Sequence, residues 1–429
     1  MKKIENRQEN MPIPANPVVH AAMGAIWAAG PKWEEKGLWE TKPEENTAEI
    51  RYSSSNSNGQ VLVWVDPRVE SEMAVWTMEQ IENYLSTLSD FTADVALSVL
   101  SALAEAKAPL LQPTIINADK IIKQKGMQAW GQNQKILRQI IEQEMENLQH
   151  LRFEVQQLPA IDPETGKWNT KGFNWQRDRL FDIVRIEKYD QNNIAIMWSV
   201  RAGQWAYYFL SPSARRWVCN LAGALIRLSH RQDRKAEVIA KRIGYYTMML
   251  RWRLAKGQPL RWNIKSLCEA IKLDPTTDSH PGRFREAFEN ALEMLVEKRI
   301  FDRIEYPHGY WNDVDRSKGW VERWLEYEIT FVLPNENEIN EIENQDALPV
   351  ETTTKTKKTK ARRQKTTKKI EINGQEIKRI RQERNWRQEE LARYLRISRQ
   401  HLSNIENGKV QPRPELNQKI LEWLRQPRE

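Results

Sequence analysis

Apolar residues keep one spacing for a stretch of this chain and then change to another, and each change marks a new element. Residues 49–65, "EIRYSSSNSNGQVLVWV", alternate around Asn58-Gly59 and predict a two-stranded hairpin. "TMEQIENYLSTL" (77–88) and "DFTADVALSVLSALAEA" (90–106) then take up helical spacing. "NADKIIKQKG" predicts a short helix that stops at Gly126. "NQKILRQIIEQEMENLQHL" (133–151) predicts a longer one, with Ile136, Ile140, Leu148 and Leu151 along its apolar side. The period then falls to that of strands: "RFEVQQL", a polar loop over 159–178, "RLFDIVRIEKYD" and "NIAIMWSVRAG".

Three helices followed by strand, loop and strand is the order of a winged helix, and it comes twice. "DRKAEVIAKRIGYYTMMLRWRLA", "NIKSLCEAI" and "RFREAFENALEMLVEKRI" predict three more helices. The strand "FDRIEY", a loop over 307–319 and a returning strand "WVERWLEYEITFVL" follow. The halves share element order without close identity. Residues 335–370 turn acidic ("NENEINEIENQD") and then basic ("TKTKKTKARRQKTTKK"), and neither stretch can form a core. The chain therefore divides into an N-terminal extension with a hairpin (1–75), winged-helix-like domains at 76–205 and 206–333, a disordered linker (334–370) and a last domain at 371–429.

Composition sharpens this division. The 429 residues are 40% hydrophobic and include 18 Trp, which is ample core material. The aromatic clusters "WAYYF" and "GYYTMMLRW" are read as part of that core. Two cysteines, Cys219 and Cys268, exclude a disulfide framework and point to a reducing cytoplasm. No apolar run has the length of a membrane span, and "VVHAAMGAIWAAG" is too short and its lead too polar for a signal peptide. Residues 352–429 hold 22 Lys and Arg against 9 acidic residues, whereas the remainder holds 44 against 49. A basic module on a slightly acidic body calls for a polyanionic partner of that module.

The basic module carries a specific pattern, "IKRIRQERNWRQEELARYLRISRQHLSNIENGKVQPRPELNQKILEWL". Leu391 and Leu395 face inward from "QEELARYL", Ala392 is small where two helices must approach, and Ile397 fills the turn. Ser398 is placed to cap the second helix, which Leu402 and Ile405 anchor. Arg399, Gln400, His401, Ser403 and Asn404 are left pointing outward. Over about 55 residues this resembles the Xre, or lambda-repressor-like (Cro-type), helix-turn-helix family.

The resemblance implies a five-helix domain whose second motif helix enters the major groove of double-stranded DNA. Arg399, Gln400 and Asn404 would be base readers, since Arg suits guanine and Gln or Asn suits adenine. Gln388 would grip a phosphate at the start of its helix, and Asn407, Gly408 and Lys409 would approach the backbone beyond the recognition helix. Two positions depart from the family: Arg387 stands where a Ser or Thr cap is usual, and Arg396 where Gly is favoured in the turn.

The body resembles the tandem winged helices of plasmid replication initiators of the iteron-binding kind. That implies a mostly α fold with small β wings: a tandem winged-helix-like α+β body plus the lambda-repressor-like domain. Asn133, Gln134, Lys135 and Arg138 would face DNA from one helix, and Arg283 and Arg285 from another. Lys167, Lys171, Arg316 and Lys318 would be phosphate contacts on wings at 160–178 and 307–319. Glu142, Glu144, Glu146, Glu286, Glu289 and Glu293 on the same helices argue that one unit serves dimerisation instead.

Catalytic constellations are few. There is no Walker-type phosphate loop, no C-x-x-C, no His-x-His and no His spacing suited to a metal. His280-x-x-Arg283 with Tyr306 or Tyr310 is similar to part of a tyrosine recombinase site, but the stretch reads better as a helix start. The expectation is a DNA-binding protein with no enzymatic activity, cofactor, metal or membrane partner, working as a homodimer or multimer on repeated sites. Replication initiation for a plasmid or mobile element is favoured by the repeated winged-helix order. The alternative is an Xre-family transcriptional repressor with a large partner- or ligand-sensing body.

Overall fold

The computed structural model describes residues 10–53, 59–65, 76–128, 131–186, 194–211, 218–250, 260–310, 319–334 and 374–425, the last without 385, 396, 398, 408–411 and 413. Contacts divide the chain into two compact units, residues 1–281 and 282–429.

In the first unit, β1 (Asn10–Pro14) leads into α1 (Pro17–Ala28). Asn16 caps α1 by accepting from the Val18 and Val19 N–H groups at 3.0 Å, and Pro17 occupies the first turn, where no donor is needed. α1 is apolar on every side, and its residues are buried from Val18 to Ala28 apart from His20, which explains a helical run without amphipathic spacing. A short α2 (Trp33–Lys36) is followed by β2 (Glu40–Lys42), β3 (Thr47–Ser53) and β4 (Gln60–Val65). The expected hairpin is β3–β4. Its last pair is Ser53–Gln60, so the connection spans six residues rather than a two-residue Asn-Gly turn; residues 54–58 lie outside the described residues.

Both α3 (Met78–Thr87) and α4 (Asp90–Glu105) open with reciprocal caps, Thr77 with Gln80 and Ser89 with Thr92. Next come β5 (Thr114–Asn117), α5 (Ala118–Gln124) and α6 (Gln132–Gln149). The strands β6 (Leu151–Ile161), β7 (Trp168–Arg179), β8 (Phe181–Arg185) and β9 (Met197–Ala202) follow. α7 (Trp205–Phe209), β10 (Val218–Ala222), α8 (Gly223–Ile226), α9 (Lys235–Leu250), β11 (Leu260–Asn263) and α10 (Ile264–Ala270) complete the unit. β10 returns to pair with β1.

Two antiparallel sheets position the rest. In the smaller, the order is β5-β9-β8, so the strand ahead of α5 pairs with the last strand of the group. With α4, α5 and α6 this is a winged helix. Residues 187–193, between β8 and β9, lie outside the described residues. The larger sheet has the order β2-β3-β4-β6-β7. The segment 160–178, expected as the wing, is instead mostly the long hairpin β6–β7. β6 pairs along its other edge with β4, Val65 opposite Leu151 and Val63 opposite Phe153. Val61, Val63, Val65, Phe153 and Val155 are all buried, which is what fixes this register.

α6 also differs from its expected facing. Ile136 is 51% exposed and Ile140 40%, while Ile141, Met145 and Leu148 turn inward. The inward stripe runs i, i+4, i+7, one position round from the expected one.

The second unit begins with α11 (Pro281–Glu297), β12 (Arg303–Glu305), α12 (Trp320–Leu325) and β13 (Glu328–Val332). Counted from α9, the order helix, strand, helix, helix, strand repeats that of α4 to β6, after which α12 and β13 follow here and β7 to β9 there. The returning strand is shorter than expected because 320–325 is helical: Trp324 is fully buried against Phe288, ring centroids 5.4 Å apart, from a helix that opens after Gly319 in the left-handed region. The remaining elements are α13 (Gly374–Glu383), α14 (Gln388–Leu395), α15 (Arg399–Glu406) and α16 (Pro414–Arg425). Among the described residues these are four helices where five were expected. Ile377, Leu391, Ala392, Leu395, Leu402, Ile405, Ile420 and Trp423 form their core. Gly374 is required where α13 begins, because a Cβ there would stand 2.0 Å from the Ile405 carbonyl oxygen.

Candidate nucleic-acid interface

α14 and α15 form the helix-turn-helix, and its apolar residues face as the sequence implies. Leu391, Leu395 and Leu402 are fully buried or nearly so, Ala392 and Ile405 are buried beside them, and Ile397 packs against the cluster from the turn. At the start of α14, Arg387 has no side-chain oxygen to cap the helix. The other half of a capping box is present: the Arg387 N–H donates to the Glu390 carboxylate at 2.6 Å.

Under the recognition helix lies a charged cluster that the sequence reading did not find. Arg381 of α13 donates to both carboxylate oxygens of Glu406 at 2.6 and 3.2 Å, and also to the Trp386 carbonyl at 2.9 Å. Glu406 is 1% exposed. Gln388 donates its amide N–H to the same carboxylate at 2.9 Å, and its amide oxygen accepts from Arg399 Nε at 3.4 Å. The Gln388 side chain thus ties α14 to α15, and is not extended toward solvent as a phosphate contact would be. A signal existed in the sequence: Glu406 falls in the buried register of Leu402 and Ile405, where a carboxylate needs a partner.

The outward side of α15 is polar. Arg399 and Gln400 are exposed, and Ser403 and Asn404 are half-buried. Gln400 lies over Asn404, with Nε2 3.4 Å from Oδ1, and Asn407 lies over Ser403, with Nδ2 3.3 Å from Oγ. These are i,i+4 pairs, so the amides stack in two rows along one face. Arg399 also pairs with Glu389 at 3.1 Å, but both side chains are at least 60% exposed, so the guanidinium exchanges partners at little cost. His401 is placed differently: its Nδ1 lies 3.4 Å from Glu293 Oε2 and 3.9 Å from Glu297 Oε1 of α11. Ser398 and Lys409 lie outside the described residues.

The body's candidates divide. Lys135 and Arg283 are exposed. Arg138 is not available to DNA as expected: it makes a two-pronged bond from α6 to Asp119 of α5, at 3.0 and 2.7 Å. Arg285 is buried, bonded to Glu289 at 2.8 Å and to the Tyr310 carbonyl at 3.2 Å, over the Tyr310 ring. Burial and the carboxylate neighbour Glu289 also hold the Tyr310 phenol well above its ordinary pKa. Its hydroxyl joins Glu289 at 3.1 Å and accepts from Trp324 Nε1 at 3.0 Å, a core role rather than that of a nucleophile. Lys167 and Lys171 are exposed on the β6–β7 hairpin, and Arg316 and Lys318 lie outside the described residues. Among the described residues, no group of three or more His, Cys, Asp or Glu is placed to hold a metal ion, and no single helix is long and apolar enough to cross a membrane.

Residues 377–425 match the helix-turn-helix family model. The match runs from within α13 to the end of α16 and covers the helix-turn-helix part of the site. The helix-turn-helix domain is a DNA-binding one, as its pattern implied. No curated protein is similar in sequence to the chain. Among solved structures, a crystal structure of domains 2 and 3 of RctB overlaps 74% of this chain and 99% of its own, at 10% identity and a TM-score of 0.39. A selenomethionine form of the same two domains overlaps 73% and 99%, at 10% identity and a TM-score of 0.37. Scores of that size leave the body's architecture to rest on its own element order and strand pairing.

Proposed function

We propose that the chain is a sequence-specific double-stranded-DNA-binding protein of the replication-initiator kind, acting as a homodimer or multimer on repeated sites. One observation carries the DNA reading: α15 presents Arg399, Gln400 and Asn404 from a helix fixed beneath by the buried Arg381–Glu406 pair. A rigid helix with amide and guanidinium groups on its outer face is what base-edge readout in the major groove requires. The initiator reading is supported by a second feature, the repeat of winged-helix element order beside this domain. Several DNA-binding units in one chain suit a protein that covers successive sites, because each added contact acts at the effective concentration set by the others. In the body, Lys135 of α6 and Arg283 of α11 are the exposed cations that such contacts would use.

The test is a double substitution, Arg399→Ala with Gln400→Ala, measured against the duplex selected by the unmodified chain and against a scrambled duplex. Each lost two-pronged contact lowers discrimination by about 1–3 kcal/mol. Unchanged discrimination would show that α15 does not read bases.

A further inference from the structure

We infer that the acidic face of α11 is a docking surface for the recognition helix α15, and that DNA and α11 compete for it. The inference rests on the reading of α15 as the DNA-reading helix.

The contact is made from the recognition helix by His401, the i,i+3 neighbour of Asn404. His401 lies on α15 between Gln400 and Leu402, and its side chain is only 15% exposed. Its Nδ1 faces two carboxylates one helical turn apart on α11, Glu293 at 3.4 Å and Glu297 at 3.9 Å. Glu293 is itself covered, at 19% side-chain exposure, while Glu297 keeps 43%. The next acidic residue along the helix does not take part: Glu289 is turned into the core, bonded to Arg285 and Tyr310. The docking face is therefore Glu293 and Glu297.

The chemistry fits the partner. α15 is built of donors (Arg399, Gln400, His401 and Asn404), and a pair of carboxylates offers acceptor oxygens to donors as phosphates and base edges do. His401 and Asn404 are i,i+3 neighbours on α15, so α11 lies beside a base-reading residue, and a duplex engaging Asn404 competes with it for that side. Protonated His401 makes the pair ionic, and the neutral ring leaves a weaker polar contact.

A contact of one imidazole with two carboxylates, one of them 43% exposed, at 3.4 and 3.9 Å is weak, and so it is displaced by a duplex offering many phosphates. Its effect is to lower the fraction of chains whose recognition helix is accessible, and apparent affinity falls by that fraction. Removing the contact then tightens binding without adding any DNA contact.

The experiment is a titration of the full chain, at one salt concentration, with a fluorescent duplex of the site protected by the unmodified protein. Glu293→Gln with Glu297→Gln is compared with Glu322→Gln with Glu326→Gln, which removes the same charge from exposed positions on α12 and at its C-terminal end. The expected result is an apparent Kd about three- to tenfold lower for the α11 pair and unchanged for the α12 pair. The inference is overturned if the α11 pair binds like the unmodified chain, or if both pairs tighten equally, which would be a general effect of charge. Arg399→Ala with Gln400→Ala in the same titration separates the two ideas. If that variant loses discrimination while the α11 pair has no effect, only the docking fails. If it too has no effect, the reading of α15 fails.

Discussion

At the scale of single residues, the charges that matter most are those the fold has enclosed. Glu406 illustrates the cost. It is buried, and Arg381 and Gln388 converge on its carboxylate. Glu406→Ala leaves a guanidinium buried without its partner, and a loss of about 3–5 kcal/mol in stability is expected from denaturant unfolding of the chain. A loss below about 1 kcal/mol would mean that the pair is effectively solvated. His230 supplies a test in pH. Burial, assisted by the charge of Lys125, lowers its pKa from the ordinary 6.5 to about 4. Its ring packs on Phe91, centroids 4.6 Å apart. In the unfolded chain it takes up a proton as pH falls below about 6.5, but in the folded chain only near 4. Stability contributed above 6.5 is therefore lost as pH falls through that window. His230→Gln should flatten the fall in melting temperature between pH 6.5 and 4. An unaltered slope would assign the acid sensitivity to other groups. Asp90 acts lower on the scale: burial would raise its pKa, but Arg242, bonded through both carboxylate oxygens at 2.8 Å, brings it below the usual range.

At the scale of elements, the helix-turn-helix was legible because its information is local. Leu391, Ala392, Leu395, Leu402 and Ile405 lie within fifteen consecutive residues, and their spacing alone sets which side of α15 faces out. The same locality makes its end testable. Arg387 contributes only its backbone N–H to the cap, so Arg387→Ser adds the missing oxygen acceptor and should stabilise the domain by roughly 1 kcal/mol. A destabilised Ser variant would show that the arginine side chain has a role beyond the cap. Charged residues on the body's helices were misread for a physical reason. Arg and Asp default to the surface in any reading of composition, and nothing local shows that Arg138 meets Asp119 or that the i,i+4 pair Arg285–Glu289 is buried against Tyr310. α6 was misread by one position because Ile136, Ile140 and Ile141 satisfy two overlapping helical stripes, and only packing chooses between them.

At the scale of the molecule, the hidden information was long-range pairing. The alternation in β6 predicts a strand but not its neighbour, and the partner β4 lies some ninety residues earlier in the chain. Hence the hairpin expected as a wing became part of a five-stranded sheet with the N-terminal strands. The two helices that open the winged-helix repeats, α4 and α9, are held together by buried charge. Asp90 meets Arg242, and Asp94 meets Lys241 at 2.7 Å and also Lys125. Carboxylates at i and i+4 of α4 thus fix its register against α9. A body organised in this way, joined to a helix-turn-helix domain, should engage DNA through more than one unit. The most direct measurement is a footprint of the intact chain, at physiological salt, on the DNA flanking its own gene. Protection extending over several phased direct repeats, reduced to isolated single sites when only residues 371–429 are present, is the predicted result. Protection of one palindromic site, identical for the intact chain and for that C-terminal portion, would contradict the account and leave the body a regulatory or dimerising unit.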